Sequence, residues 1–136
     1  SRLEDGQMME RSVRRTLFEA YMQGKETDLA TEQVLKLSEI SPAVSSDRML
    51  PIYRGVPSYP RSAAMRGEGG WVDIVLEVDK FGFTKNIKIE HIEGDRAFGK
   101  AAVSAAKEYR YIPRFENGEI VHTTGVKIRV VFKMQR

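Results

Sequence analysis

The side chains with chemistry to offer are two histidines, scattered carboxylates and one tryptophan, and their spacing argues against catalysis. His91 ends one alternating apolar pattern and His122 precedes another, far apart in sequence. A metal site needs several ligands at fixed spacing, so both read as surface or turn histidines. Glu90 and Glu93 lie close together but lack the apolar setting that would raise a carboxyl pKa for acid–base work. The absence of cysteine excludes a disulfide framework and a thiolate zinc site. No Gly-rich phosphate loop, nucleophile elbow or zinc-binding helix signature occurs. The sequence therefore reads as non-enzymatic, with no metal and no cofactor.

Nucleic acid is disfavoured as well. The net charge is +3, but basic residues interleave with acids at Glu10-Arg11, Lys25-Glu26, Lys107-Glu108 and Glu90 to Arg96. Such mixing produces no single-sign field and reads as a solvated surface. Trp71 and the tyrosines are better used in core or rim packing than as a stacking platform for bases. No apolar run is long enough to span a bilayer, and no signal-peptide pattern opens the chain. The opening Ser1 reads as the start of a fragment or processed product, so a signal or anchor could lie outside these 136 residues and its absence says little about localisation.

The elements that position these groups divide at a breaker-rich connector: Ser41-Pro42, Ser45-Ser46-Asp47, Pro51, Gly55, Pro57 and Pro60. Before it, Met9, Val13, Leu17 and Tyr21, with Phe18 and Met22, recur at helical spacing. Gly24 suits a helix end. Asp28 or Thr31 could cap a second helix carrying Leu29, Val34, Leu35, Leu37 and Ile40. Residues 1–45 are expected to form this helical hairpin, which is too small for an independent core and reads as the end of a larger helical region. Residues 46–136 are expected to form the main domain.

After the connector, Pro60 and Ala63 to Met65 suggest a short helix stopped by Gly67. Val72, Ile74, Leu76 and Val78 alternate with Asp73 and Glu77, which predicts a strand. A turn at Asp79 to Gly82 leads into a second, with Phe83, Lys85, Ile87 and Ile89 on one face. Gly94-Asp95 predicts a helix start, followed by an apolar stripe of Phe98, Ala102, Ala105 and Tyr109. Pro113 and Asn117-Gly118 are breaks. Val126, Ile128, Val130 and Phe132 then alternate with Lys127, Arg129 and Lys133. The order helix, strand, strand, helix, strand predicts an α+β two-layer sandwich, with a three-stranded antiparallel sheet carrying a helix on one face. Its other face, with Asp73, Glu77, Lys127 and Arg129, should be wet.

This order, with Pro57-Ser58-Tyr59-Pro60, Ala63-Ala64, Gly67, Gly70, Gly82, Phe98, Ala101-Ala102, Tyr109-Arg110-Tyr111-Ile112-Pro113 and Gly118, resembles the TonB C-terminal domain family. Two positions depart from the family pattern: Gly99 stands where an Asp is usual, and Tyr109 where a Trp is usual. The family's membrane anchor and proline-rich spacer are not seen, and the helical hairpin stands in the spacer's place.

The resemblance implies a periplasmic energy transducer of a Gram-negative bacterium, anchored in the inner membrane by a segment outside this sequence. That segment would join an inner-membrane proton-channel complex. The implied partner is an outer-membrane TonB-dependent receptor, whose extended Ton box adds as a strand to the last strand of the sheet. This role falls on Val126, Lys127, Ile128, Arg129, Val130 and Val131, and a second contact region on Arg54, Val56, Pro57 and Tyr59. Charges on the same strand also discourage aggregation. A scaffold or interaction domain without an energy role is the alternative, and an exposed edge could also pair with a second copy of the chain to give a homodimer.

Overall fold

The computed structural model describes residues 2–41 and 45–134, so Ser1 and the breaker Pro42 lie outside the described residues. Helices α1 (Arg2–Gln23) and α2 (Thr27–Ile40) form the expected hairpin. Gly24 and Lys25, the latter at φ 59, turn the chain between them. The second helix begins ahead of both expected caps. Thr31 instead uses its hydroxyl to accept a bond from Arg110 Nη2 at 3.0 Å. The expected α1 stripe is also only partly used. Phe18 is buried with Ala30 and Val34, and Tyr21, Met22 and Ile52 pack around them. Met9 and Val13 face outward, because α1 meets α2 along Phe18, Tyr21 and Met22, which share a face at i, i+3 and i+4 spacing.

A 3-10 turn (Ser46–Arg48) and a short helix α3 (Arg61–Met65) lead to the sheet. Strands β1 (Gly70–Val78), β2 (Thr84–Glu93) and β5 (Thr123–Phe132) pair in the order β2-β1-β5, antiparallel throughout. Helix α4 (Ala97–Ala106) packs on one face, giving the α+β sandwich that the pattern predicts. Asp95 accepts from the Ala97 N–H at 2.8 Å and holds the helix start, so its carboxyl lies below the ordinary carboxylate value. Residues 114–121 add a hairpin that the sequence pattern did not predict: β3 (Arg114–Glu116) and β4 (Glu119–Val121), closed by Asn117 and Gly118, both at positive φ.

The core lies between sheet and helix. Val72, Ile74, Leu76 and Val78 of β1 and Val126, Ile128, Val130 and Phe132 of β5 meet Phe98, Ala102, Ala105 and Ala106 of α4. Phe98 stacks on Phe132 with ring centroids 4.4 Å apart, and Tyr59 stands edge-on to both. The small side chains bring the helix close. A Cβ at Gly99 would meet Ile92 Cδ1 at 2.7 Å and Ile89 Cδ1 at 3.1 Å, which accounts for glycine at a position where the family pattern has a larger residue. The β2 alternation breaks, because β2 carries an extra residue opposite β1 in two places, one at Asn86 with φ 48. Beyond the second irregularity Ile92, not His91, packs against the core.

The hairpin is seated on the sheet domain through the segment that follows α4. Ser38 Oγ donates to the Pro113 carbonyl at 2.5 Å, and Val34 Cγ1 lies beside Gly82. Arg110, 3% exposed, links the parts: its backbone bonds Ile52 and Tyr53, and its Nη2 donates to Thr31 and to the Phe81 carbonyl. Its guanidinium also lies 3.8 Å over the Phe83 ring, and burial lowers its pKa from the ordinary value.

Candidate functional site

Strand β5 pairs with β1 on one side only, so its other side is a sheet edge. The direction of its unpaired groups follows from one close approach. The Phe132 carbonyl points toward β1, lying 2.9 Å from where a Cβ would stand on Gly69. Backbone groups alternate from residue to residue along a strand. No register shift occurs between Val126 and Phe132. The even-numbered residues therefore bond to β1, while Lys127, Arg129 and Val131 direct their N–H and C=O groups outward. Side chains follow the same alternation. Val126, Ile128 and Val130 are buried in the core, and Lys127, Arg129 and Val131 are exposed, Val131 at 50%.

One irregularity precedes this run. From Val126 to Thr123 the strand carries one residue more than β1 does, and Gly125 takes φ 68, a conformation that β-branched residues avoid. The Ser46–Arg48 turn lies against β5 here, with Ser46 Oγ 3.8 Å from where a Gly125 Cβ would be. No backbone hydrogen bond joins the two segments among the described residues. The start of the edge is flanked and the part from Lys127 onward is not paired.

Charge on the open sheet face is organised around β1. Arg129 donates from Nε and Nη2 to the two Asp73 oxygens at 2.8 and 3.2 Å, and its guanidinium lies 4.8 Å from the Trp71 ring. These bonds hold the Asp73 carboxyl below its ordinary value. His122 Nε2 lies 2.6 Å from Glu77 Oε1, and Asn86 donates to Glu77 Oε2 at 2.8 Å. Both bonds lower the Glu77 pKa, His122 the more. His91 lies 3.0 Å from Glu93, well away from His122.

The four connector residues are spread more widely. Tyr59 stands against Phe132 at the end of β5, and its hydroxyl donates to the Glu68 carbonyl. Val56, 92% exposed, and Pro57 line an open groove with Ala101 and Glu108 on the helix side of the domain. Arg54 is exposed and sits near enough to Tyr109 and Tyr111 to oppose the rise that burial causes in both phenol pKa values. The structure thus sets Tyr59 between α4 and the end of β5, whereas Val56 and Pro57 border the groove beside α4.

Residues 55–134 match the family described as Gram-negative bacterial TonB protein C-terminal. Over 76 residues the chain is 30% identical to Protein TonB of two Xanthomonas campestris pv. campestris strains, B100 and ATCC 33913, covering 56% of this chain and 32% of each relative. The chain therefore spans about a third of the length of these curated relatives. Among solved structures it is similar to the Pseudomonas aeruginosa TonB C-terminal domain in solution (27% identity, TM-score 0.53, 68% of this chain and 91% of that one). It also resembles the TonB2 protein of Vibrio anguillarum (28% identity, TM-score 0.50, 71% and 91%).

Proposed function

The chain belongs to the Gram-negative bacterial TonB C-terminal family, and on that premise we propose that it binds the Ton box of an outer-membrane receptor by strand addition to β5. The family is a periplasmic, non-enzymatic transducer family. In this reading the domain passes energy from the inner membrane to the receptor for active uptake, through an anchor and a proton-channel complex outside this sequence. Arg54, Val56, Pro57 and Tyr59 supply a second contact region. The observation that carries the reading is the unpaired outward row at Lys127, Arg129 and Val131.

A short added strand forms about four or five backbone hydrogen bonds, each worth about 0.5–1.5 kcal/mol net. Ordering the peptide costs about 1–2 kcal/mol per residue. Binding through the backbone alone is therefore weak, which suits a contact that grips and then releases. Pulling along the strand loads its bonds together in shear, so weak equilibrium binding is compatible with force.

The test is an NMR titration of labelled protein with a synthetic Ton-box peptide. Amide shifts should cluster on Lys127 to Val131. Lys127→Pro and Val131→Pro each remove one outward donor and leave the β1-facing donors in place, so both should fold and lose the response. Unchanged binding by the folded proline variants would rule out β5 addition. The second reading is an interaction module without an energy role. It is favoured by the seated helical hairpin ahead of the matched residues and by the Ser46–Arg48 turn beside β5. Under that reading the Ton-box peptide leaves β5 unshifted.

A further inference from the structure

Where the hairpin meets the sheet domain, a cavity of 260 Å³ is lined by four arginines from three separate stretches of chain: Arg11 and Arg15 on α1, Arg48 after α2, and Arg114 on β3. No described carboxylate lines it. Arg114 Nη2 pairs with Glu116 at 2.9 Å, outside the cavity wall, while Arg11, Arg15 and Arg48 have no carboxylate partner among the described side chains. Three polar atoms at this junction are buried without a hydrogen-bond partner: Arg11 Nε, Arg114 Nε and Ser41 Oγ. Buried guanidinium N–H groups without acceptors are costly, and like charges gathered around one space repel. An anion in the cavity answers both problems at once.

Apart from Ser38 and Ser41 the remaining wall is apolar, with Leu50, Ile112 and Phe115 among its residues. The planar, multi-donor guanidinium fits oxyanions of the phosphate type, and several converging on one space fit a phosphate better than a single carboxylate. We propose that this cavity binds a phosphate group carried on a short apolar substituent, held by Arg11, Arg15, Arg48 and Arg114 with the substituent against Leu50, Ile112 and Phe115. The site is independent of the β5 edge. It is created by the docking of the hairpin, since α1 supplies two of its four charges.

The phosphate can come from a soluble phosphomonoester or from a phospholipid headgroup, and the probes separate the two. Phenyl phosphate, inorganic phosphate and benzoate are titrated into the full chain, reading the arginine Nε–Hε resonances together with calorimetry. Vesicles of phosphatidylglycerol and of phosphatidylcholine are tested by co-sedimentation. Phenyl phosphate should shift the Arg11 and Arg114 Nε–Hε signals and bind at least tenfold more tightly than inorganic phosphate or benzoate. Arg15→Gln and Arg48→Gln, both at exposed positions, should each weaken it about tenfold and leave the amide spectrum of the sheet unchanged. Binding to phosphatidylglycerol vesicles alone, lost in the same variants, assigns the site to a lipid headgroup. If neither phenyl phosphate nor anionic vesicles bind, or if binding survives both substitutions, the proposal is overturned. Equal affinity for inorganic and phenyl phosphate overturns the apolar half of the site.

Discussion

The outer strands β2 and β5 each border β1 on one side only, yet they are built differently. β2 carries an extra residue opposite β1 in two places, and Asn86 takes φ 48 at one of them. Both edges carry exposed charges that discourage pairing, Lys85, Lys88, Glu90 and Glu93 on β2 and Lys127 and Arg129 on β5, so the register is what separates them. β5 concentrates its irregularity at Gly125 and then runs without a shift from Val126 to Phe132. A twisted, interrupted edge resists strand addition, while a regular one accepts it. The difference supports the proposed place for a partner strand, beside β5 after Gly125 rather than along β2.

The largest test of that comparison attacks what the edges share. Leu76 sits in β1 between them and is fully buried. Leu76→Ala should cost about 2–5 kcal/mol, read as a lower urea midpoint. Hydrogen exchange should then rise in β2 and β5 together. Loss of protection in one outer strand alone would show that the two are not held by one core.

The next effect separates the edges. Asn86→Val places a β-branched residue at φ 48 and also removes the amide that donates to Glu77. It should cost about 1–2 kcal/mol. Asn86→Gly, which tolerates that φ, should stay close to the parent protein. Gly125→Val, at φ 68, should cost a similar amount on the β5 side and also crowd Ser46. If both valine variants are as stable as the parent, the irregularities are not backbone-specified and the contrast between the strands loses its basis.

Much of this was legible in the sequence where periodicity is unbroken. Val72 to Val78 and Val126 to Phe132 alternate cleanly and fall where expected, and the alanine stripe of α4 packs as its spacing implies. The irregular parts were hidden for physical reasons. The extra β2 residue opposite Asp73 and Ile74 leaves no trace in an apolar pattern, so the switch from His91 to Ile92 could not be read. Arg114–Glu116 and Glu119–Val121 are too short to show a period, although Asn117-Gly118 marked their turn. On α1, Phe18 and Leu17 offered competing faces, and only the docking partner selects between them. For the edge itself, the resemblance singled out the strand, but which of its backbone groups point outward depends on the register with β1. The arginine cavity was invisible because its four charges, interleaved with acids in sequence, converge only through tertiary packing.

The smallest effect concerns the charges that bind β5 to β1 across the open face. Arg129 holds the Asp73 carboxyl below its ordinary value, and His122 and Asn86 do the same for Glu77. A carboxyl whose folded pKa is depressed adds stability above its unfolded pKa and loses it as pH falls through the folded value. The contribution is therefore present at pH 7 and fades on acidification below about pH 4. Both groups are solvent-facing, so solvent screening keeps the effect well below that of the core and backbone variants. Asp73→Asn should lower the melting temperature slightly at pH 7, and the gap to the parent should close as pH drops through the carboxylate range. A pair that joins β5 to β1 should also show the gap in β5 amide exchange and hardly in β2. A constant gap across pH, or one confined to β2, would mean that Asp73 stabilises the sheet by some route other than its charge on Arg129.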